Sequence, residues 1–360
     1  MNSFLSYILL FLSAFILCAL FTPLVKKFAK KIKAIDTPNL PRKIHKTPIP
    51  LLGGVGIILS FIIISVVYII LFHSQSSVLP MRFYLGIFIA SLILLLGGVL
   101  DDKYQLTPSQ QIIFPLMATL VIILAKIGIG ISQITNPIGI HPLRLDFMIL
   151  GIPFSVFFVY IYILGMTYTT KFLDGLDGLV TGISLIAALT LFTLSLTPKI
   201  NQPVTASLSI IFAGALAGFL LFNFNPASIF LGESGATFTG FMLATLSVLL
   251  GGKIATAILV MGVPILDIAW VIARRLWYGK SPFVGDRKHL HLRLLDIGFS
   301  QKQTAMILYS FSICFGATAI VLQSMGKFIA LIVLFIVMIL LGLFSVFAYK
   351  VRSGVKSTNG

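Results

Sequence analysis

Acidic side chains are nearly missing from this chain: ten Asp and Glu occur in 360 residues, and Glu233 is the only glutamate. Hydrophobic residues make up 58% and the mean hydropathy is +1.08. A carboxylate at the centre of a membrane helix costs roughly 2.5–3.5 kcal/mol. Each acid that remains should therefore lie at a membrane edge or perform chemistry. Cysteine is scarce too, and Cys18 and Cys314 both sit inside apolar runs. That excludes a disulfide framework and a thiolate metal site. The first residues, MNSFLSY, lack a basic region, and the apolar stretch behind them runs on to Val25 without a small-residue cleavage site. A secretory signal is not expected.

What is present is a series of apolar runs, at about 4–25, 51–72, 83–100, 109–128, 150–169, 178–197, 204–222, 235–250, 254–273, 303–323 and 328–349. Each is near the ~20 residues that a helix needs to cross a bilayer. The expected fold is an all-α polytopic membrane protein of about 11 transmembrane helices, one domain spanning 1–360, with Gly251-Gly252-Lys253 as a tight outer turn. Lys26, Lys27, Lys30, Lys31 and Lys33 follow the first run, which places the N-terminus outside and the C-terminus in the cytoplasm. With that parity, 20 of the 26 Lys and Arg fall on inner segments. Positive-inside topology thus accounts for the net charge of +16, and nucleic acid is not an expected partner. All acids but Asp146 fall on the inner side, Asp267 within the inner half of the ninth run. A transporter would more often hold ionisable groups near the midplane. An inner mouth open to soluble substrate points instead to an active site on the cytoplasmic face.

Five inner segments carry the chemistry. DTPNLPRKIHKTPIPLLGG, 36–54, sets Arg42, Lys43, His45 and Lys46 between prolines, which stiffen the loop and fix where its cations point. Asp101-Asp102 ends the third run, and adjacent carboxylates repel unless a cation sits between them. KFLDGLDGL spaces Asp174 and Asp177 by three, so a helix would put them on one side. NFNPASIFLGESG holds Asn223 and Glu233, and glycine-rich backbone amides opening a helix suit phosphate. RRLWYGKSPFVGDRKHLHLRLLDIGFS brings Arg287, His289, His291 and Arg293 together in basic company that favours anions.

In this order the five segments resemble the polyprenyl-phosphate N-acetylhexosamine-1-phosphate transferase family, within glycosyltransferase family 4 and related to phospho-MurNAc-pentapeptide translocase. The resemblance covers about residues 36 to 300 and rests on Arg42–Gly54, Asp101-Asp102, the DGLDGL run, Asn223–Gly232 and the long loop to DIG. It implies transfer of N-acetylhexosamine 1-phosphate, GlcNAc-1-phosphate above others, from a UDP-sugar to an undecaprenyl phosphate-like lipid. UMP would leave, and the step would prime cell-envelope glycan synthesis in a prokaryotic inner membrane. It further implies Mg2+ or Mn2+ and allows a homodimer. On this reading Asp101, Asp102 and Glu233 are catalytic, with Glu233 and Asp102 on the metal. His45, Lys46, Lys171, Asp174, Asp177, Asn223, Arg287, His289, His291 and Arg293 bind substrate. The chain departs from the family pattern at three places. Glu233 stands where aspartate is usual, Leu292 where a further histidine is usual, and Tyr168 and Lys171 where asparagines precede DGLDG. The alternatives are the pentapeptide translocase branch, typically with three consecutive histidines and ten spans, a non-catalytic divergent member, and a membrane transporter.

The charge division makes the topology testable. Ser76→Cys and Ser281→Cys, each in a chain with Cys18 and Cys314 replaced, should label from opposite sides of sealed membranes. Labelling of both from the outer side would overturn the eleven-span arrangement.

Overall fold

The computed structural model describes residues 3–38, 47–72, 79–128, 131, 133–134, 141, 143–145, 147–149, 151–251, 253–279, 289–322 and 324–358. It is mostly helical, and every one of the eleven apolar runs falls on helix. The helices are α1 (Ser3–Lys31), α2 (Gly53–Phe72), α3 (Met81–Tyr104), α4 (Pro108–Gln111), α5 (Ile113–Leu124), α6 (Phe154–Leu173), α7 (Leu179–Ser195), α8 (Pro203–Asn223), α9 (Gly232–Leu249), α10 (Ile254–Val260), α11 (Gly262–Trp277), α12 (Leu290–Ile297), α13 (Gln301–Val321) and α14 (Ser324–Thr358). By length and composition seven of them can cross a membrane, and an eighth crossing results if α10 and α11 form one bent span. The chain is an all-α, multi-pass membrane protein.

Two runs read as continuous are broken, and proline explains both. Pro264 removes an amide donor and its ring crowds the carbonyl four residues back, at Val260, where α10 stops; α11 leaves at a bend of 80°. Pro115 does the same to Gln111, where α4 stops before α5 begins. The break expected between α9 and α10 forms at Gly251, whose φ is +70°, and Lys253 N donates to Ser247 O at 3.0 Å.

Burial sorts the bundle. The apolar stretch of α8 is 83% buried while that of α14 is 11% buried. Phe4, Leu20, Ile329 and Leu343 and many residues like them stay exposed on α1 and α14, a surface suited to lipid and not to water. Buried hydroxyls inside the bundle bond their own helices: Thr237 Oγ1 donates to Glu233 O, Thr245 Oγ1 to Phe241 O and Thr22 Oγ1 to Cys18 O, at 2.7–2.8 Å. Helical carbonyls thus satisfy polar side chains where water is absent. Short antiparallel ladders tie the connections, the first pairing β1 (Ile35–Asp36) with β2 (Ile49–Pro50). That ladder closes the base of the basic, proline-rich loop.

Candidate active site

Backbone hydrogen bonds join the first and fourth sequence segments. Phe230 N donates to Pro50 O at 2.9 Å, Gly53 N to Phe230 O at 3.0 Å, and Gly54 N to Leu231 O at 2.8 Å. The start of α9 is thereby wedged between α2 and α3. A Cβ on Gly54 would strike the Gly235 backbone, and one on Gly98 would strike Ser234 N and Cα. Only glycine permits that approach.

The wedge sets the acids. Glu233 N donates to Asp102 Oδ1 at 3.0 Å, so a carboxylate from α3 caps the N-terminus of α9 from outside, where helix amides lack partners. Asp102 Oδ2 is buried and has no hydrogen-bond partner among the described residues. It lies against Gly232, whose φ is +74° and whose Cβ, if present, would collide with it. From α6, Lys171 Nζ donates to Glu233 Oε1 at 2.6 Å and to Gln111 Oε1 at 2.8 Å. Gln111 Nε2 in turn donates to Asp101 Oδ1 at 2.8 Å, and Leu106 N donates to the same oxygen at 2.9 Å. Asp101, Gln111, Lys171, Glu233 and Asp102 therefore form one continuous polar network. Beside it lies a small cleft, partly open to solvent, with an apolar wall of Leu94, Phe114 and Pro115. The space inside it is far too small for a nucleotide sugar.

The DGLDG segment is the loop between α6 and α7. Asp177 Oδ2 accepts from Asn225 Nδ2 at 2.8 Å and from Ala227 N at 3.0 Å, which ties this loop to the NFNPAS segment. Asn223 is buried; its Oδ1 accepts from Thr181 Oγ1 at 2.8 Å and its Nδ2 donates to Ile229 O at 3.1 Å. Both ends of that amide are spent inside the fold. Asp174 is exposed, yet loss of surrounding water and then the charges of Glu233 and Asp177 push its carboxyl up to about 7.

The histidine segment meets the same loop. A Cβ on Gly175 would fall 2.7 Å from His291 Nε2, so glycine there lets the imidazole lie against the DGLDG backbone. His291 is buried, its Nδ1 has no partner among the described residues, and burial pulls its pKa down to about 4. Its ring stacks on His289 with centroids 5.5 Å apart. His289 Nδ1 lies 3.0 Å from Asp267 Oδ2, and Asp267 Oδ1 accepts from Leu290 N at 2.8 Å. One buried carboxylate on α11 thus orients His289 and caps α12. Arg293 is half-buried on α12. His45, Lys46 and Arg287 lie outside the described residues.

Two polar residues missing from the sequence-derived site stand in these networks. Asp267 carries a signal in the sequence, since an acid inside an apolar run is itself a pointer. Gln111 carries none; an amide near a helix start reads as a capping residue. Among the described residues no three His, Cys, Asp or Glu side chains gather closely enough to hold a metal ion alone.

The raised carboxyl of Asp174 has a signed consequence for stability. An unfolded aspartate titrates near 3.9, so between about 4 and 7 the folded state holds a proton that the unfolded chain has lost. Stability from this group is full below about 4 and is lost as pH rises through 7. His291 works the other way, its contribution present above about 6.5 and lost as pH falls through 4. In detergent, Asp174→Asn should gain in melting temperature relative to wild type as pH goes from 5 to 8. A difference that stays constant over that range would refute the shifted carboxyl.

A model of the family described as "Glycosyl transferase family 4" matches residues 84–251, a stretch that holds Asp101, Asp102, Lys171, Asp174, Asp177, Asn223 and Glu233. A Bacillus subtilis protein named "Probable undecaprenyl-phosphate N-acetylglucosaminyl 1-phosphate transferase" is 31% identical, over 91% of this chain and 88% of its own length. A decaprenyl-phosphate N-acetylglucosaminephosphotransferase of Mycobacterium tuberculosis is 30% identical over 86% of this chain and 81% of its own. An undecaprenyl-phosphate alpha-N-acetylglucosaminyl 1-phosphate transferase of Thermotoga maritima is 31% identical over 82% and 84%. With relatives of 30–31% identity over more than four fifths of the chain, the chain belongs to glycosyl transferase family 4.

Proposed function

We propose that the protein transfers GlcNAc 1-phosphate from UDP-GlcNAc to a polyprenyl phosphate, undecaprenyl phosphate-like, and releases UMP, priming cell-envelope glycan synthesis. The observation that carries this reading is the joined network of Asp101, Asp102, Lys171 and Glu233 at one end of a membrane bundle. The names of the relatives supply the donor sugar phosphate and the polyprenyl acceptor. An oxygen of the lipid phosphate attacks the sugar-bearing phosphorus of the donor, and the bond from that phosphorus to the UMP oxygen breaks.

The reaction brings two anions together. A phosphate monoester carries about −1.5 to −2 charges at pH 7, and the donor diphosphate about two more on the ordinary ionisation of such esters. At ~5 Å and an effective dielectric of ~20, each pair of unit charges repels by roughly 3 kcal/mol. The nucleophile is already ionised, so positioning and charge neutralisation matter more than a general base. Lys171, with three ammonium donors, of which two are engaged at Glu233 and Gln111, keeps one for a phosphate oxygen. His289, held by Asp267, and Arg293 suit the donor phosphates, as do His45, Lys46 and Arg287 from the two basic loops. Asp174 suits the nucleotide. Asp177 and Asn223 act by holding the loop that positions it.

A divalent metal fits these residues. Asp102 Oδ2 is a buried carboxyl oxygen without a hydrogen-bond donor among the described residues, and among those residues the network holds more carboxyl groups than cations. Mg2+ ordinarily takes one or two carboxylates and completes its shell with water and substrate phosphate, so two carboxyl groups are enough to hold it. Glu233 and Asp102 would hold the ion, which when bound would neutralise phosphate charge and polarise the reacting phosphorus.

The reading keeps eleven crossings with the site on the cytoplasmic side, which counts shorter apolar helices beyond the seven or eight long enough to cross by themselves. α3, α6 and α11 end, and α2, α7 and α9 begin, at the end where the five segments meet. A prokaryotic inner membrane and a single domain over 1–360 complete the reading.

The test supplies purified protein with polyprenyl phosphate and a panel of UDP-sugars and follows UMP. Release with UDP-GlcNAc that requires the lipid is expected; none with any donor would overturn the proposal. Glu233→Gln keeps shape and loses charge, so transfer should fall at least ~100-fold, the scale of losing a strong electrostatic contributor. Glu233→Asp should keep part of the activity with a higher magnesium requirement. Folded Glu233→Gln protein with near-normal UMP release would rule out the metal role.

A further inference from the structure

Three residues at which the chain departs from the pattern it resembles are in contact with one another. Lys171 Nζ is 2.6 Å from Glu233 Oε1 and 5.7 Å from the centre of the Tyr168 ring. Tyr168 and Lys171 are three apart on α6 and so share a face, and Glu233 comes from α9. The ion pair is substantially enclosed, its side chains 15% and 16% exposed. Gln111 extends it to Asp101, while Asp102 lies one amide away from Glu233. Among the described residues Lys171 is the cation of this network of three carboxylates, and it is bonded to Glu233, which with Asp101 lines the cleft.

We infer that Lys171 is an internal counter-ion that competes with a divalent cation for Glu233, so that this chain binds its metal more weakly than Glu233 and Asp102 would without it. The inference rests on the reading of Glu233 as a metal-facing carboxylate. A divalent ion approaching Glu233 meets the ammonium already on Oε1 and is repelled by it. It must displace the lysine or share the carboxylate with it. Tyr168 and Gln111 keep the ammonium in place through a ring face and an amide oxygen, contacts that a flexible surface lysine lacks. The extra methylene of glutamate, relative to aspartate, gives the carboxylate the reach to meet a lysine on the neighbouring helix. Lys171 is thus a positioning residue that sets metal affinity, and a third donor remains for phosphate once substrate arrives.

The test needs no turnover. Mn2+ is titrated into purified full-length protein without substrate, and free Mn2+ is followed by its electron paramagnetic resonance signal. Lys171→Asn and Lys171→Gln should each bind Mn2+ at least about tenfold more tightly than wild type, since a nearby positive charge is gone. Lys171→Arg, which keeps the charge, should stay near wild type. Adding Glu233→Gln to any of them should abolish the gain. A Mn2+-dependent rise in melting temperature, larger for Lys171→Asn than for wild type, gives a second readout that reports folding at the same time. Wild type that binds Mn2+ through Glu233 while both neutral variants bind equally or less tightly would overturn the inference and leave the metal reading standing. Absence of Mn2+ binding by wild type and by both folded variants would overturn the two together.

Discussion

The wedging of the α9 N-terminus between α2 and α3 is the constraint on which the site depends. Gly54 and Gly98 remove every atom that would hold the helices apart, and Gly235 and Ser234 fill the gap. The backbone bonds from Gly53 and Gly54 to Phe230 and Leu231 then fix the height of α9. With that height set, the Glu233 amide lands on Asp102 and the Glu233 side chain lands on Lys171. A single methyl group at either glycine would push the carboxylates apart, because tightly packed interiors transmit a displacement instead of absorbing it.

Membrane physics decides where such a network can exist. Within the bilayer the backbone must bond to itself, so helices leave free amides and carbonyls only at their ends. The protein spends two of its scarce carboxylates there. Asp102 caps α9 and Asp267 caps α12. Each cap also fixes a side chain of the proposed site: Glu233 in the first case and His289 in the second. The same acids that close the helix termini therefore also orient neighbouring polar side chains.

Charge within the network is balanced internally to an extent that composition does not reveal. A +16 chain places three carboxylates, Asp101, Asp102 and Glu233, in contact with a single lysine through hydrogen bonds and one amide relay. Among the described residues the network's carboxyl groups outnumber its cations, which suits a cation arriving together with anionic substrates. Burial works alongside it, pulling the His291 pKa down to about 4.

The sequence by itself determined the helical class and the membrane setting, because apolar runs of bilayer length and a lopsided distribution of basic residues are local properties. It also pointed to the segments that the structure brings together, since an acid in an oily chain is costly wherever it stands. The breaks at Val260 and Gln111 follow from Pro264 and Pro115, four residues on, although neither is evident from hydropathy alone. What only the tertiary structure decided is which polar groups meet. Asn223 reads as a substrate contact, yet it is consumed by Thr181 and Ile229. Gln111 reads as a helix start, yet it links Asp101 to Lys171. Glu233 and Lys171 read as separate departures 62 residues apart, yet they form one ion pair. Partners on different helices are chosen by helix height and rotation. Those are set by glycine contacts and backbone bonds between distant segments, which no local window of sequence contains.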